Sequence, residues 1–392
     1  MKFIGKARSI PPLVSMAIST LLISSCGNSP QVSSSATSAV GTTTTSSPSS
    51  QLQFYPVSFT AVSADQYWLL GLGQCPNSLC TSIVHTTDGG KHFSKVSAPS
   101  SPVGPRQGPG SYTSYIDTLR FVTPLDGFAF GIRSSAPLWA TTDGGITWKK
   151  IDLGEILAFA SSGGYAYAVT ASSCNQLGKC INLALKRSPV GTSTWSTITL
   201  PASQTGPLAT MAAHGSSLWI SIGALASANK QDLLTSTDYG NHFNSFASPC
   251  FSDLGGQIEA SSSTVLWAVC ATGMQAGAFR SADGGKSWTS INAEPLNNSA
   301  QLAPADDSTA ILDPGVTGAL LRTADGGKTF SHVQVGGPGE SWVAWIGFTT
   351  PSVGSALVVY STGGPSSTVS REELWRTVDG GISWTGPVSY SS

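Results

Sequence analysis

Residues 86–93 read TTDGGKHF, and the same phrase returns five more times along this chain of 392 residues. The copies share the pattern Ser/Thr-x-Asp-x-Gly-x-x-aromatic and occupy residues 86–93, 141–148, 236–243, 281–288, 323–330 and 377–384. A short carboxylate at a tight turn accepts hydrogen bonds from backbone N–H groups just beyond it. The glycine permits the positive φ that a chain reversal needs, and the aromatic ring is expected to be buried in the core. Each copy therefore predicts a hairpin whose turn is held by one aspartate: Asp88, Asp143, Asp238, Asp283, Asp325 or Asp379.

A seventh, degenerate copy occupies residues 188–195, where Val190 stands in the place of the aspartate. With this copy included, successive copies lie 42 to 55 residues apart. Propeller blades of four strands need roughly 40–50 residues each. Apolar segments such as 67–71 (YWLLG) and 218–222 (LWISI) have the length of short strands. We therefore predict an all-β chain with one seven-bladed β-propeller over residues 53–392, in which the degenerate copy still forms a hairpin.

The repeated phrase resembles the Asp-box, or BNR, repeat of sialidases, sortilin and photosystem II assembly-factor-like propellers. In those families the box forms the turn between the third and fourth strands of a blade. Residues 119–131 (LRFVTPLDGFAFG), which lead into the box at 141–148, are most similar to the assembly-factor-like propellers. The resemblance extends from about Gln53 to the end of the chain. It implies a non-catalytic scaffold that binds protein partners.

The N-terminal segment has the order of a bacterial export signal. Within residues 1–25, a basic start is followed by an apolar run at 13–23 that is shorter than the ~20 residues of a membrane-spanning helix. The sequence ISSC at 23–26 resembles a lipobox, in which Cys26 becomes the lipidated N-terminus; a cleaved signal with an incidental Cys26 is the alternative. Residues 26–52 are mostly small and polar, so we expect a disordered tether with a reach of about 25–30 Å. The prediction is a monomeric, extracytoplasmic protein, lipid-anchored to the membrane or cell surface.

The six cysteines after Cys26 fall into three local pairs. Six cysteines allow fifteen pairings, and proximity favours Cys75–Cys80, Cys174–Cys180 and Cys250–Cys270. Disulfides of this kind are typical of an oxidising compartment. A zinc site would need closer cysteine spacing with nearby histidines, and the five histidines are scattered. We predict three disulfides, no metal and no cofactor.

Charge and motif content narrow the classes of function. The net charge is −1 and only 10% of residues are charged, so no basic face is available for nucleic acid. Sialidases, which share the box, use a Tyr nucleophile with a Glu partner and three arginines that bind the substrate carboxylate. Four arginines of this chain occupy the same position before a box and belong to the strand pattern: Arg187, Arg280, Arg322 and Arg376. Of the remaining arginines, Arg106, Arg120 and Arg133 are the candidates for such a cluster.

A carbohydrate-active protein is the alternative function. An inverting pair of the xyloglucanase type would come from the carboxylates near the starts of the inner strands: Asp117, Glu155, Glu259 and Glu340. Such enzymes generally use two propellers, whereas this chain has one. We expect a protein that is not an enzyme, with a sialidase-type or xyloglucanase-type hydrolase or a glycan binder as the alternative.

The binding surface is expected on the face of the ring opposite the boxes. Two segments there carry arginine and aromatic residues, the types that dominate contact energy at interfaces. Residues 97–115 supply Arg106, Tyr112 and Tyr115, and residues 336–342 supply Glu340 and Trp342. The alternative is that these aromatic rings only pack the loops down.

Overall fold

The computed structural model describes residues 54–104, 114–174, 180–201, 206, 208–223, 230–251, 255–315, 319–338, 341–361 and 369–390. Every regular element within these ranges is a β-strand, so they contain no helix that could cross a membrane. The predicted signal peptide, the tether and Cys26 lie outside the described residues. So do Arg106, Tyr112 and Glu340 of the predicted binding surface.

The strands form seven antiparallel sheets that follow one another along the chain. Blade 1 contains β1 (Phe54–Ala61), β2 (Tyr67–Gln74), β3 (Leu79–Thr86) and β4 (Ser94–Val96). Blade 2 contains β5 (Thr118–Phe121), β6 (Gly127–Phe130), β7 (Leu138–Thr141) and β8 (Lys149–Ile151). Blade 3 contains β9 (Glu155–Ser162), β10 (Tyr165–Ala171), β13 (Ala184–Pro189) and β14 (Ser196–Ile198). A two-stranded ribbon, β11 (Ser173–Cys174) and β12 (Cys180–Ile181), is inserted in blade 3.

The remaining blades repeat the pattern. Blade 4 contains β15 (Leu208–His214), β16 (Ser217–Gly223), β17 (Lys230–Ser236) and β18 (Asn244–Phe251). Blade 5 contains β19 (Gly256–Ala260), β20 (Leu266–Ala271), β21 (Gln275–Ser281) and β22 (Thr289–Asn297). Blade 6 contains β23 (Gln301–Pro304), β24 (Ala310–Asp313), β25 (Ala319–Thr323) and β26 (Ser331–Gln334). Blade 7 contains β27 (Ser341–Phe348), β28 (Gly354–Ser361) and β29 (Val369–Thr377), and Thr385 pairs with Arg376 where a fourth strand would lie.

The second strand of each blade is apolar throughout because both of its faces are buried. Successive side chains of a strand point to opposite faces of the sheet. In β2, Trp68 and Leu70 pack between blades 1 and 2, whereas Tyr67 and Leu69 pack between blades 7 and 1. This explains why YWLLG shows little polar alternation in the sequence.

The core is divided into seven clusters, one between each pair of neighbouring blades. The cluster between blades 7 and 1 brings Leu357 and Leu374 against Phe54 and Phe59. The ring is therefore closed, and the prediction of an all-β, seven-bladed propeller is confirmed.

The turn containing Asp283 shows the arrangement that all six aspartate turns share. Asp283 Oδ1 accepts hydrogen bonds from the Ser281 hydroxyl (2.8 Å) and the Ser287 N–H (2.9 Å), and its Oδ2 accepts one from the Ser287 hydroxyl (2.6 Å). The Ser281 oxygen accepts a hydrogen bond from the Gly285 N–H at 2.9 Å. The hydroxyl-to-aspartate and glycine-to-hydroxyl bonds recur in the other five copies. The buried member of each pair is the hydroxyl residue, since Ser281 is buried and Asp283 is exposed.

The degenerate copy keeps its hairpin without a carboxylate. β13 pairs with β14, and Gly191 has a φ of 81° at the turn. The Val190 N–H donates to the Gly164 carbonyl (2.9 Å), and the Thr192 hydroxyl donates to the Pro189 carbonyl (2.9 Å). A threonine hydroxyl thus holds the turn where the aspartate is missing, and the hairpin predicted for the degenerate copy is present.

Burial of the aromatic residue of the box was predicted; it is complete in two of the six intact copies and partial in the other four. Phe93 and Trp384 are buried, and Phe93 is covered by Tyr67 and Tyr390 at ring-centroid distances of 5.8 and 5.4 Å. The other rings of the intact copies are half-buried, namely Trp148, Phe243, Trp288 and Phe330. Each of these four lies at the edge of a single interblade cluster, so its outer side remains in solvent.

The four arginines that precede boxes connect neighbouring blades. Each donates to a backbone carbonyl of the next blade: Arg187 to Tyr239 (2.7 Å), Arg280 to Asp307 (2.8 Å), Arg322 to Gly380 (2.8 Å), and Arg376 to both Gly89 and Ala64 (2.6 Å each). The last of these connects blade 7 to blade 1. Sequence reasoning assigned these arginines to the strand pattern but did not foresee that they bridge blades.

The three predicted disulfides are present. Cys75–Cys80 closes the loop between β2 and β3, and Cys174–Cys180 closes the β11–β12 ribbon. Cys250–Cys270 joins β18 of blade 4 to β20 of blade 5. Only the third bond therefore links two blades.

Candidate functional site

The ring has two chemically different faces. Each box turn hydrogen-bonds to the turn between the first and second strands of its own blade: the Gly89 N–H donates to the Asp65 carbonyl (2.9 Å) and the Gly284 N–H to the Thr264 carbonyl (2.8 Å). These two kinds of turn form what we call the box face. The loops between second and third strands and the connections between blades form the opposite face.

The box carboxylates are occupied by their own turns. Hydrogen bonds from the Ser287 side chain and backbone lower the pKa of Asp283 to about 2, and those from Thr147 lower the pKa of Asp143 to about 2. The pKa values of Asp88 and Asp238 are lowered mainly by the backbone N–H groups of His92 and His242. Carboxylates held ionised in this way serve the turn and are poor proton donors at neutral pH.

Polar side chains of the inner strands bind the next inner strand around the ring. The Leu119 N–H donates to the Ser58 hydroxyl at 3.0 Å. The Gln257 amide group binds both the carbonyl and the N–H of Leu302 (2.9 Å each), and the Gln301 amide donates to the Val343 carbonyl at 2.7 Å. These side chains hold blades together at the channel wall.

Two opposite charges from distant blades, Arg120 and Glu259, influence each other electrostatically across the channel. Arg120 of β5 donates to the carbonyls of Leu119 (3.1 Å) and Phe59 (3.3 Å), and Glu259 of β19 accepts from Gln257 at 3.1 Å. Burial lowers the pKa of Arg120, while the charges of Glu259 and Asp117 oppose that effect. Burial raises the pKa of Glu259, while Gln257 and Arg120 oppose it. The sequence had suggested Arg120 for an arginine cluster and Glu259 for a catalytic pair, but the structure places them as electrostatic partners.

Two of the three other carboxylates considered for a catalytic pair, Asp117 and Glu155, have structural partners. Asp117 accepts hydrogen bonds from the Thr118 hydroxyl (2.8 Å) and the Ile132 N–H (3.3 Å). Glu155 accepts one from the Cys174 N–H (2.9 Å), which fastens the β11–β12 ribbon to the start of β9. Glu340 lies outside the described residues. Within the described ranges, no three His, Cys, Asp or Glu side chains are placed to hold a metal ion.

Of the predicted binding surface, Tyr115 and Trp342 are described. Tyr115 is half-buried, its ring fills the space beside Gly104, and its N–H donates to the Ser134 hydroxyl at 3.0 Å. Trp342 is half-buried at the start of β27. Tyr115 thus packs against the base of its loop and keeps part of its ring exposed. Blade 1 lies between the blades that carry these two residues.

Arg133 is a further residue of the opposite face that sequence reasoning did not place in the binding surface. It has a φ of 54°, and its N–H donates to the Ile156 carbonyl at 2.8 Å. It lines a cavity of about 160 Å³ with Thr210 and Ser221. Burial and the charge of Asp117 raise the pKa of Tyr115, and the charge of Arg133 lowers it, so the three groups are electrostatic neighbours. The sequence feature that could have identified Arg133 is its position just after β6, in a loop of the opposite face.

The box-side mouth of the channel holds a cavity of about 820 Å³. It is lined by the ends of the inner strands and the turns that follow them in blades 3 to 7. Its walls include Ser161, His214, Asp306, Asp307 and Phe348. This volume lies in the range of about 300–1,000 Å³ that is typical of ligand pockets. The sequence did not point to this cavity, because the binding surface was expected on the opposite face.

Comparison with known proteins shows the fold. The chain matches no protein-family model and no curated protein. Among solved structures it is similar to YCF48 bound to a D1 peptide, with 17% identity, a TM-score of 0.53, and coverage of 84% of this chain and 93% of that one. It is also similar to YCF48 from Cyanidioschyzon merolae (16% identity, TM-score 0.52, 84% and 96% covered).

A third similar structure is an enzyme. A puromycin-hydrolyzing peptidase from Mycobacterium tuberculosis matches with 12% identity and a TM-score of 0.56, over 88% of this chain and 54% of the peptidase. One fold hosts many functions, so likeness at these identities establishes the propeller and leaves the activity to the site.

Proposed function

We propose that this chain is an extracytoplasmic, membrane-tethered propeller that binds protein partners without catalysing a reaction on them. The observation that carries the proposal is the use of the polar groups inside the ring. Arg120, Gln257 and Gln301 hydrogen-bond to backbone carbonyls of neighbouring inner strands. A hydrolase of the type considered needs a pair of carboxylates that face a substrate, whereas Asp117, Glu155 and Glu259 accept hydrogen bonds from the scaffold itself.

The similar YCF48 structure bound to a peptide supports a protein ligand over a small molecule. The proposed contact surface is the opposite face, where Arg106, Tyr112, Tyr115, Glu340 and Trp342 are the candidate residues. Arg133 adds a cation beside Tyr115. Aromatic and arginine side chains are enriched at protein interfaces, so this composition suits a protein partner.

Tethering follows from the proposed lipidation of Cys26. A Cys26→Ser variant should move from the membrane fraction to the soluble extracytoplasmic fraction. Retention of that variant in the membrane fraction would contradict the lipid anchor.

Capture of partners tests the binding surface. The tagged full-length protein and its Arg106→Ala/Tyr112→Ala/Trp342→Ala variant are cross-linked in native membranes, and the captured proteins are compared by mass spectrometry. We expect partners enriched with the wild type to fall at least tenfold with the variant. The matched control changes three exposed box-face residues, Ile146→Ala/Lys286→Ala/Ile382→Ala, and should keep those partners. Equal capture by all three proteins would reject the surface, and release of reducing sugar or of peptide fragments from added substrates would reject the non-catalytic role.

A further inference from the structure

Arg133 brings a positive charge to the opposite face, where its half-buried side chain lines a cavity of about 160 Å³. Within the described ranges its guanidinium forms neither an ion pair nor a hydrogen bond. The arginines that precede boxes differ in this respect, because each binds a backbone carbonyl of the next blade. The charge of Arg133 is therefore available to a ligand.

The backbone around Arg133 fixes the point from which its side chain starts. Its φ of 54° lies in a region that residues other than glycine rarely adopt. Its N–H donates to the Ile156 carbonyl at 2.8 Å, and Ile132 and Ile156 form a parallel bridge between blades 2 and 3. Residues that their neighbours hold in such a conformation are concentrated at active sites and ligand clamps. This outlier therefore supports a binding role for Arg133.

The wall of the cavity joins blade 2 to blades 4 and 5. Apart from Arg133 it consists of the starts of two inner strands, with one residue of β16: Leu208, Ala209, Thr210, Ser221, Gly255 and Gly256. None of these residues is acidic, so the wall offers Arg133 no counter-charge. The Thr210 hydroxyl accepts a hydrogen bond from the Ile258 N–H at 3.3 Å, which leaves its own proton for a ligand.

The carboxylates nearest to Arg133 along the chain are held by other groups. Asp117 accepts two hydrogen bonds, of 2.8 and 3.3 Å, and Glu155 accepts one from the Cys174 N–H at 2.9 Å. In the part of the chain that the structure describes, neither carboxylate lies within ion-pair distance of Arg133. A carboxylate for Arg133 must therefore come from outside the chain.

The charge and the volume of the cavity indicate the chemistry of that ligand. A guanidinium binds a carboxylate or a phosphate through two parallel hydrogen bonds. A phosphate group carries nearly two negative charges at neutral pH, whereas the cavity supplies one cation, so a carboxylate is the better match. An engineered protein cavity of about 150 Å³ holds benzene, so a side chain of similar size fits here. Sites that enclose whole ligands measure roughly 300–1,000 Å³, so the rest of the ligand stays outside.

We propose that this cavity binds the carboxylate side chain of a glutamate or aspartate from a protein partner, with the Arg133 guanidinium as its ion-pair partner and the Thr210 hydroxyl as a second donor. This inference rests on the proposed function, since it names the residue type that the opposite face recognises. The two can fail separately, because partner capture does not require an acidic side chain in this cavity, and the peptide test below uses the purified protein alone.

Binding of two blocked peptides to the purified full-length protein tests this inference. The probes are acetyl-Gly-Gly-Glu-Gly-Gly-amide and the same peptide with glutamine in the central position, titrated at low salt by ligand-observed NMR. We expect the glutamate peptide to bind about fivefold more tightly, with an affinity that falls as salt rises. Equal affinity of the two peptides would overturn the proposal. Acetate that bound as tightly as the glutamate peptide would overturn the assignment to a partner side chain.

Arg133→Gln is the decisive variant, because it removes the charge and keeps a polar side chain. It should weaken the glutamate peptide by about fivefold and leave the glutamine peptide unchanged. The matched control is Lys95→Gln, since Lys95 is exposed, donates to the Gln74 carbonyl at 3.5 Å and does not line the cavity. This control should leave both affinities unchanged. Equal weakening by the two variants would show general attraction to cations and overturn the site.

Two neutral changes in the wall test the location. Ala209→Phe adds a ring of about the size that the cavity holds and should abolish the preference for the glutamate peptide. An unchanged preference in this variant, folded with the melting temperature of the wild type, would reject the cavity as the site. Thr210→Val removes the hydroxyl and keeps the shape of the side chain, so it should weaken the glutamate peptide by about threefold. Unchanged binding by Thr210→Val would reject the second donor.

Discussion

Replacing Arg376 with alanine should open the junction that closes the ring. Its guanidinium donates from Nη1 to the Gly89 carbonyl and from Nη2 to the Ala64 carbonyl, each at 2.6 Å. It also lies 4.7 Å from the centroid of the Tyr67 ring. All three partners belong to blade 1, whereas Arg376 belongs to blade 7. The change therefore removes contacts between the two ends of the chain without altering the fold of either blade.

The expected loss follows from the number of charged hydrogen bonds. A hydrogen bond to a charged group contributes about 1.5–3 kcal/mol. Arg376 is half-buried, so the lower end applies to each bond, and the free energy of unfolding should fall by about 3 kcal/mol. Arg322 provides the comparison, because its Nε makes one such bond, to Gly380 at 2.8 Å, across the junction of blades 6 and 7. Arg322→Ala should cost about 1.5 kcal/mol.

Urea unfolding followed by tryptophan fluorescence at pH 7 measures both values. Arg376→Lys is a useful third variant, because one ammonium group lacks the planar fork that reaches two carbonyls, so it should recover less than half of the loss. If Arg376→Ala costs no more than Arg322→Ala, the guanidinium does not close the ring. The apolar cluster of blades 7 and 1 would then hold the junction alone.

Three further predictions concern stability. Asp283→Ala should lower the free energy of unfolding by about 1 kcal/mol, because the N–H and hydroxyl donors of the turn lose their acceptor. Partner capture should stay unchanged, and a loss of capture at unchanged stability would show that the boxes are functional sites. Removing Cys250–Cys270 by double alanine substitution should lower the free energy of unfolding by about 3 kcal/mol, against about 2 kcal/mol for Cys75–Cys80, because the sequence separations are 20 and 5. Equal losses of unfolding free energy in urea, or free thiols found by mass mapping under non-reducing conditions, would refute the assignment. Burial raises the pKa of Asp313 to about 6, so the folded state binds its proton more tightly than the unfolded state and stability should fall as pH rises from about 4 through about 6. Asp313→Asn keeps the acceptor for the Gly315 N–H and should remove this loss, on the order of 2 kcal/mol between pH 4 and pH 8; an unchanged pH dependence in the variant would refute it.

The sequence by itself determined the repeating unit of this protein. The bonds that define each aspartate turn join groups within about five residues, as between Ser281, Asp283 and Ser287. Such short-range chemistry depends on local sequence alone, so the phrase and its spacing were enough to predict hairpins, the number of blades and the all-β class. The disulfides were predictable for a similar reason, because each cysteine has its partner within 20 residues.

Only the tertiary structure decided which blades meet and what they enclose. Arg120 and Glu259 lie on different blades far apart in the sequence, and they interact because ring closure brings inner strands to a common channel. Arg376 reaches Gly89 and Ala64 for the same reason. The cavity at the box-side mouth of the channel is lined by residues of five blades, so its shape depends on how tightly the interblade clusters pack. This packing cannot be read from any single segment of the sequence. It depends on contacts between residues that become neighbours only when the ring closes.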